Sequence, residues 1–108
     1  MIAILAALSA ALSIAASAFG AHGASSPQAA EWLRTGGFYQ LVHAVAALIL
    51  ANAARGPASL LLIGAAIFAF TLYAMAVGGP RWLGAITPIG GSLMIAGWLW
   101  TAWIYWRG

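Results

Sequence analysis

The sequence predicts an all-α integral membrane protein, a four-helix bundle threaded up-down-up-down, and three observations carry that prediction. The 108 residues contain four long apolar runs, 2–19, 38–53, 58–77 and 83–105, and a helix needs about 20 apolar residues to cross a bilayer. The charged side chains, Glu31, Arg34, Arg55, Arg81 and Arg107, all fall between or beyond these runs, where they avoid the hydrocarbon that ionisable groups tolerate poorly. Hydrophobic residues make up 65% of the chain and charged residues 5%, against about 25% charged in a soluble domain. Four spans use up nearly the whole length, so residues 1–108 form one domain.

Charge and cysteine content remove several function classes. The formal charge of +3 comes from four scattered arginines, with no lysine. No run of like charge tracks a phosphate backbone, so nucleic acid is not an expected partner. The absence of cysteine rules out disulfides, thiolate metal sites and thiol catalysis. Arg55 and Arg107 share the side of the termini while Arg34 and Arg81 face the other, so the positive-inside rule gives no orientation.

Segment one ends in Ala16-Ser17-Ala18, a small-residue pattern that fits a signal-peptidase site. No basic region precedes Ile2, so a retained first helix is the better reading. Ala3, Ala7, Ala11 and Ala15 recur every four residues, with Ser9, Ser13 and Ser17 as a second stripe. Small residues at that spacing let helix backbones approach closely, and both stripes are expected to pack against a neighbouring span. Residues 20–37 then form the one sizeable loop. In it, Ser25-Ser26-Pro27 offers a cap followed by proline at a first helical position, which predicts a short interfacial helix over 28–34 anchored by Trp32.

Tyr39, Gln40 and His43 open segment two, three and four residues apart on one helix face. Arg55-Gly56-Pro57 and Gly78-Gly79-Pro80-Arg81 are tight turns that force antiparallel neighbours. Gly64, Ala65, Ala69 and Ala74 are further small contacts in segment three. In segment four Pro88 removes a backbone donor, which predicts a kink or a broken first turn. Trp98, Trp100, Trp103, Tyr105 and Trp106 mark the exit of that segment, its outer members as an interfacial belt.

Antiparallel threading brings the few polar groups to one membrane level. His22 follows segment one, Tyr39, Gln40 and His43 begin segment two, and Thr87 and Pro88 begin segment four. These six residues are expected to line a polar cleft in one leaflet, one to two turns below the ends of the spans. A Gln or His side chain there would satisfy the backbone group that Pro88 releases.

Three motifs, Gly20-Ala21-His22-Gly23, Tyr39-Gln40-Leu41-Val42-His43 and Leu83-Gly84-Ala85-Ile86-Thr87-Pro88-Ile89-Gly90-Gly91, closely resemble the domain-of-unknown-function 423 family of YgdD-like and transmembrane protein 256-like membrane proteins. The resemblance spans essentially the whole chain, in order, and the third motif is its most specific part. It implies the four-span fold, a membrane location and the polar residues to watch; it implies no reaction and no cofactor.

The chemistry is sparse. No Ser-His-Asp set, carboxylate pair or phosphate loop is present, and Glu31 is the one carboxylate side chain, so an enzyme is not expected. His43 is either a helix–helix hydrogen-bonder or a ligand or proton-handling group, and His22 is either a cap or a ligand. The first function class is a non-enzymatic protein of the bacterial inner membrane. It would bind a lipid, a hydrophobic small molecule or a membrane-protein partner at the His43 cleft, its partners being the bilayer, further copies of the chain or another membrane protein. The alternatives are a channel or transporter subunit lined by the broken start of segment four, and a haem or metal redox protein built on the two histidines.

Overall fold

The computed structural model describes residues 1–108 and is helical almost throughout. Its elements are α1 (Ile2–His22), α2 (Pro27–Leu50), α3 (Arg55–Ala76), a 3-10 segment (Arg81–Ala85) and α4 (Thr87–Arg107). All four α-helices are long and apolar enough to cross a membrane, since 21 to 24 residues at 1.5 Å rise span about 30 Å or more. In place of a soluble core, the molecule buries mostly small residues between helices and leaves most of its large aliphatic side chains outside, Ile4, Leu8, Ile49 and Leu99 among them. That is the surface lipid requires.

The cross-section is rhombic. α2 and α3 pack along the centre, α1 lies against α2, and α4 lies against α3. α1 touches α3 only lightly, and no comparable packing joins α1 to α4. Burial follows this plan: α1 buries only Ala6 and Ser13, and α4 only Gly90, Met94, Gly97 and Thr101. The outer helices thus expose most of their circumference, while α2 and α3 carry the buried faces. Ala6, Ala47, Leu50, Ala58 and Leu61 close the bundle at the end that holds both termini.

The largest departure from expectation is the start of α2. Ser26 caps it as predicted, its Oγ accepting the Ala29 N–H at 3.0 Å with Pro27 following at the first turn. The helix so begun does not stop at Arg34 as a separate interfacial piece; it runs unbroken to Leu50. Gly36 and Gly37, the last residues of the expected loop, are instead contact points on opposite sides. A Cβ on Gly36 would lie 2.7 Å from the Tyr73 ring of α3, and one on Gly37 would strike Ser17 Oγ of α1. Two central glycines weaken a helix by about 1 kcal/mol each, which the close approach of both neighbours offsets.

Segment four breaks where Pro88 predicts. A 3-10 segment precedes it, and α4 starts at Thr87 with the proline in its first turn. Neither Gln40 nor His43 serves this break. Thr87 Oγ1 lies 2.6 Å from Thr71 Oγ1 of α3 and 3.2 Å from the Leu83 carbonyl, so threonines tie it down. Gly78, with φ of +99°, makes the turn before it, a conformation few other residues adopt.

Two further expectations change. Ser13 is buried against α2 and Ser9 and Ser17 are partly so, but Ala3, Ala7, Ala11 and Ala15 face outward. Of the two stripes, only the serine one packs within the chain. Trp98 leaves the belt and bonds to His43 of α2, as described below. The outer members behave as read: Trp106 and Tyr105 are exposed, and Arg107 sits 4.4 Å from the Trp103 ring centre.

Candidate functional site

The polar residues of the spans form three separate groups, and two of them lie at mid-depth. Gln40 comes thirteen residues after Pro27 in α2, about 20 Å along the helix. Because α2 begins eleven residues earlier than the apolar run suggests, Gln40 and His43 lie near the middle of the helix and not one to two turns below its end.

Gln40 is 0% exposed and links three helices. Tyr73 of α3 donates its hydroxyl to Gln40 Oε1 at 2.7 Å, and Gln40 Nε2 donates to Ser9 Oγ of α1 at 3.0 Å. Such bonds have no water competitor here, so the group acts as a cross-brace between α1, α2 and α3.

His43, 5% exposed, joins α2 to α4. Trp98 Nε1–H donates to His43 Nε2 at 3.0 Å. An indole nitrogen can only donate, so Nε2 holds a lone pair and the ring proton sits on Nδ1, which donates to the Tyr39 carbonyl at 2.7 Å. The imidazole is thereby neutral and fixed in one tautomer. Tyr39 stacks alongside it at 6.2 Å between ring centres and meets Phe68 of α3 at 4.9 Å. These side chains line a cleft of about 400 Å³ between α2 and α4, completed by Gly91, Met94 and Ile95.

The third group is Thr71 and Thr87 at the break before α4, about 8 Å nearer the membrane surface by the rise of α3 from Ala66 to Thr71. Pro88 is exposed beside it. His22 is exposed at the end of α1. Ser9 of the same helix lies at the level of Gln40 and His43 lies three residues further on, which separates the two histidines by about 24 Å along the axis. Of the six sequence candidates, the structure therefore brings Tyr39 and His43 into one cleft. Gln40 belongs to a neighbouring network, Thr87 and Pro88 to the break, and His22 to the surface.

The sequence reading missed Ser9, Thr71, Tyr73 and Trp98 as partners. For Trp98 a signal was present: Gly90, Met94, Gly97 and Thr101, the buried face of α4, recur at intervals of four and three residues, and Trp98 directly adjoins Gly97. Its place among other tryptophans hid that register.

Comparison with known proteins agrees with the fold. The family described as Protein of unknown function (DUF423) matches residues 16–91, most of the chain and, of the cleft residues, all but Met94, Ile95 and Trp98, which follow its end.

 The chain belongs to the DUF423 family. A UPF0382 membrane protein of Haemophilus influenzae is 39% identical over 105 residues, covering 88% of this chain and 85% of its own length. Another, from Staphylococcus haemolyticus, is 40% identical over 108 residues, covering 89% and 87%. The UPF0382 inner membrane protein YgdD of Escherichia coli is 36% identical over 106 residues, covering 88% and 81%. No solved structure matches the chain. This DUF423 chain is thus a multi-pass membrane protein of the bacterial inner-membrane type, which its four apolar helices and its relatives' names support together.

Proposed function

We propose that this DUF423 protein is a non-enzymatic binding protein of the membrane that holds a lipid or another hydrophobic molecule in the α2/α4 cleft. The observation that carries the reading is that the cleft's aromatic walls are fixed before any ligand arrives. Tyr39 and Trp98 are 40% and 43% exposed, yet Trp98 is held by its bond to His43 and Tyr39 by its ring contacts. Rigid aromatic walls with a few polar atoms are what small-molecule sites are built from, and prior ordering lowers the entropy lost on binding. The Tyr39 hydroxyl, engaged in none of the chain's side-chain hydrogen bonds, gives such a ligand one orienting contact.

The alternatives find less support. A two-histidine haem or metal site would need His22 and His43 together, and both ring nitrogens of His43 already have partners. A pathway would need the polar groups to connect across the membrane, whereas no hydrogen bond joins one of the three groups to another. Catalysis would need acid–base groups beyond a neutral, doubly bonded histidine.

Native mass spectrometry from mild detergent tests the proposal. The wild-type chain should retain a hydrophobic molecule at defined stoichiometry, and Trp98→Leu should lose it while keeping its helical content. A bare wild-type chain, or equal retention by both, would contradict the proposal.

A further inference from the structure

One side-chain hydrogen bond joins α2 to α4, that of Trp98 to His43, and the two helices otherwise hardly meet. α4 is held in the bundle by α3, through the close backbone approaches at Gly64, Gly90 and Gly97. The bond between α2 and α4 therefore fixes a wall of the cleft without carrying the fold.

Its polarity is fixed. The Trp98 indole nitrogen can only donate, and it faces His43 Nε2 at 3.0 Å. Nδ1 is committed to the Tyr39 carbonyl at 2.7 Å. A further proton on this ring can therefore enter only at Nε2, and it converts that atom from acceptor to donor. Two N–H groups then face one another with no acceptor between them. The contact that held the indole now repels it.

The surroundings offer the new N–H no substitute for the indole. The side chains facing the imidazole are Tyr39 from α2, Phe68 from α3, and Met94 and Trp98 from α4. Tyr39 is the one titratable group among them, and no residue of α1 lines the cleft. Arg34 on α2 and Arg107 on α4 each lie nine residues away, from His43 and Trp98 respectively, about 14 Å along the helix. Arg55 on α3 is thirteen residues from Phe68. Glu31, the one carboxylate side chain, is twelve residues before His43, about 18 Å. Of the two bonded rings, the indole is the one with room to leave: Trp98 is 43% exposed, His43 only 5%.

We propose that the His43–Trp98 bond is an acid-released latch. A proton taken up at Nε2 expels the Trp98 indole and opens the α4 wall of the cleft, while Nδ1 keeps its bond to the Tyr39 carbonyl and α3 keeps α4 in place. The latch is a property of the chain itself and operates whether or not the cleft holds a ligand, so its test needs none.

That test is proton–nitrogen NMR of the full chain in phosphatidylglycerol nanodiscs, with isotope-labelled tryptophan and histidine, from about pH 8 to about pH 4, the range in which imidazole changes charge. A His22→Ala background leaves His43 as the one histidine, and Trp98→Phe identifies the Trp98 indole resonance by its loss. At the alkaline end that resonance should stand at the low-field, hydrogen-bonded position. It should move upfield in one step whose midpoint matches that of the His43 ring nitrogens, while the other tryptophans stay in place. His43→Gln, which offers a non-titrating amide oxygen to the indole, should keep Trp98 bonded throughout. A Trp98 resonance that stays bonded while His43 gains its proton would overturn the proposal. So would a His43 that remains neutral to the acid end, a shift of all tryptophans together, or a folded His43→Gln chain that releases Trp98 as wild type does. If His43→Gln fails to fold, the match of the two midpoints in the His22→Ala chain decides alone.

Discussion

Gln40 makes its two observed hydrogen bonds with different helices, Tyr73 on α3 and Ser9 on α1, so its effect on stability depends on what its removal leaves behind. Replacing it with leucine strands the Tyr73 hydroxyl among apolar groups, a penalty of about 1–3 kcal/mol. Tyr73→Phe removes that hydroxyl and leaves an amide oxygen with no partner. The double variant leaves neither group stranded, so its loss should be smaller than the sum of the single losses by about 1 kcal/mol, within the range of coupling between contacting residues. Reversible unfolding in mixed micelles reads this directly, and simple additivity would show that the bond contributes nothing. Glu31 and Arg34 provide the contrast at the surface. Their 2.8 Å contact is exposed on both sides, and pairs of that kind contribute little to stability.

At the scale of elements, the helices meet through backbone approach. A Cβ on Gly64 of α3 would lie 2.8 Å from the Gly90 carbonyl oxygen, and one on Gly90 of α4 would strike the Phe68 nitrogen of α3. Both obstacles are backbone, which cannot swing aside. Gly91 is different, since a Cβ there meets only the edge of the Phe68 ring at 3.9 Å. Gly90→Ala should therefore destabilise the bundle by about 1–3 kcal/mol through overpacking, and Gly91→Ala should lie within about 0.5 kcal/mol of wild type. The same unfolding measurement checks both, and equal effects would refute the close α3/α4 crossing. Adjacent glycines with opposite sensitivity also show where sequence reading stops. Four spans, their antiparallel order, the Ser26 cap and the break at Pro88 were legible because length, apolarity, capping and proline act locally. The continuity of α2 through Gly36 and Gly37 was not, because it depends on Tyr73 and Ser17 arriving from other helices.

Across the whole molecule, that one misplaced helix start determines where the polar residues lie. With α2 starting at Pro27, Gln40 and His43 sit near the middle of the bundle, one in the network that joins α1, α2 and α3 and the other in the α2/α4 cleft. The sequence identified Tyr39, Gln40 and His43 as residues of one helix face. It did not separate Gln40 from the other two, because a spacing of three or four residues does not say which neighbour each side chain meets. The rhombic section makes that separation: the central pair α2/α3 is flanked by α1 on one side and α4 on the other, so each outer helix forms its own opening to lipid. Ile95, exposed on α4, lines the cleft, while Ile49, exposed on α2, does not. The most direct test of a ligand in the cleft is photocrosslinking in native membranes from these two positions, each carrying a photoreactive residue in turn, with the captured molecules identified by mass spectrometry. Ile95 should capture one discrete hydrophobic species that Ile49 does not, and Trp98→Leu should abolish that capture. The same distribution of bulk phospholipids at both positions would contradict a binding role for the cleft.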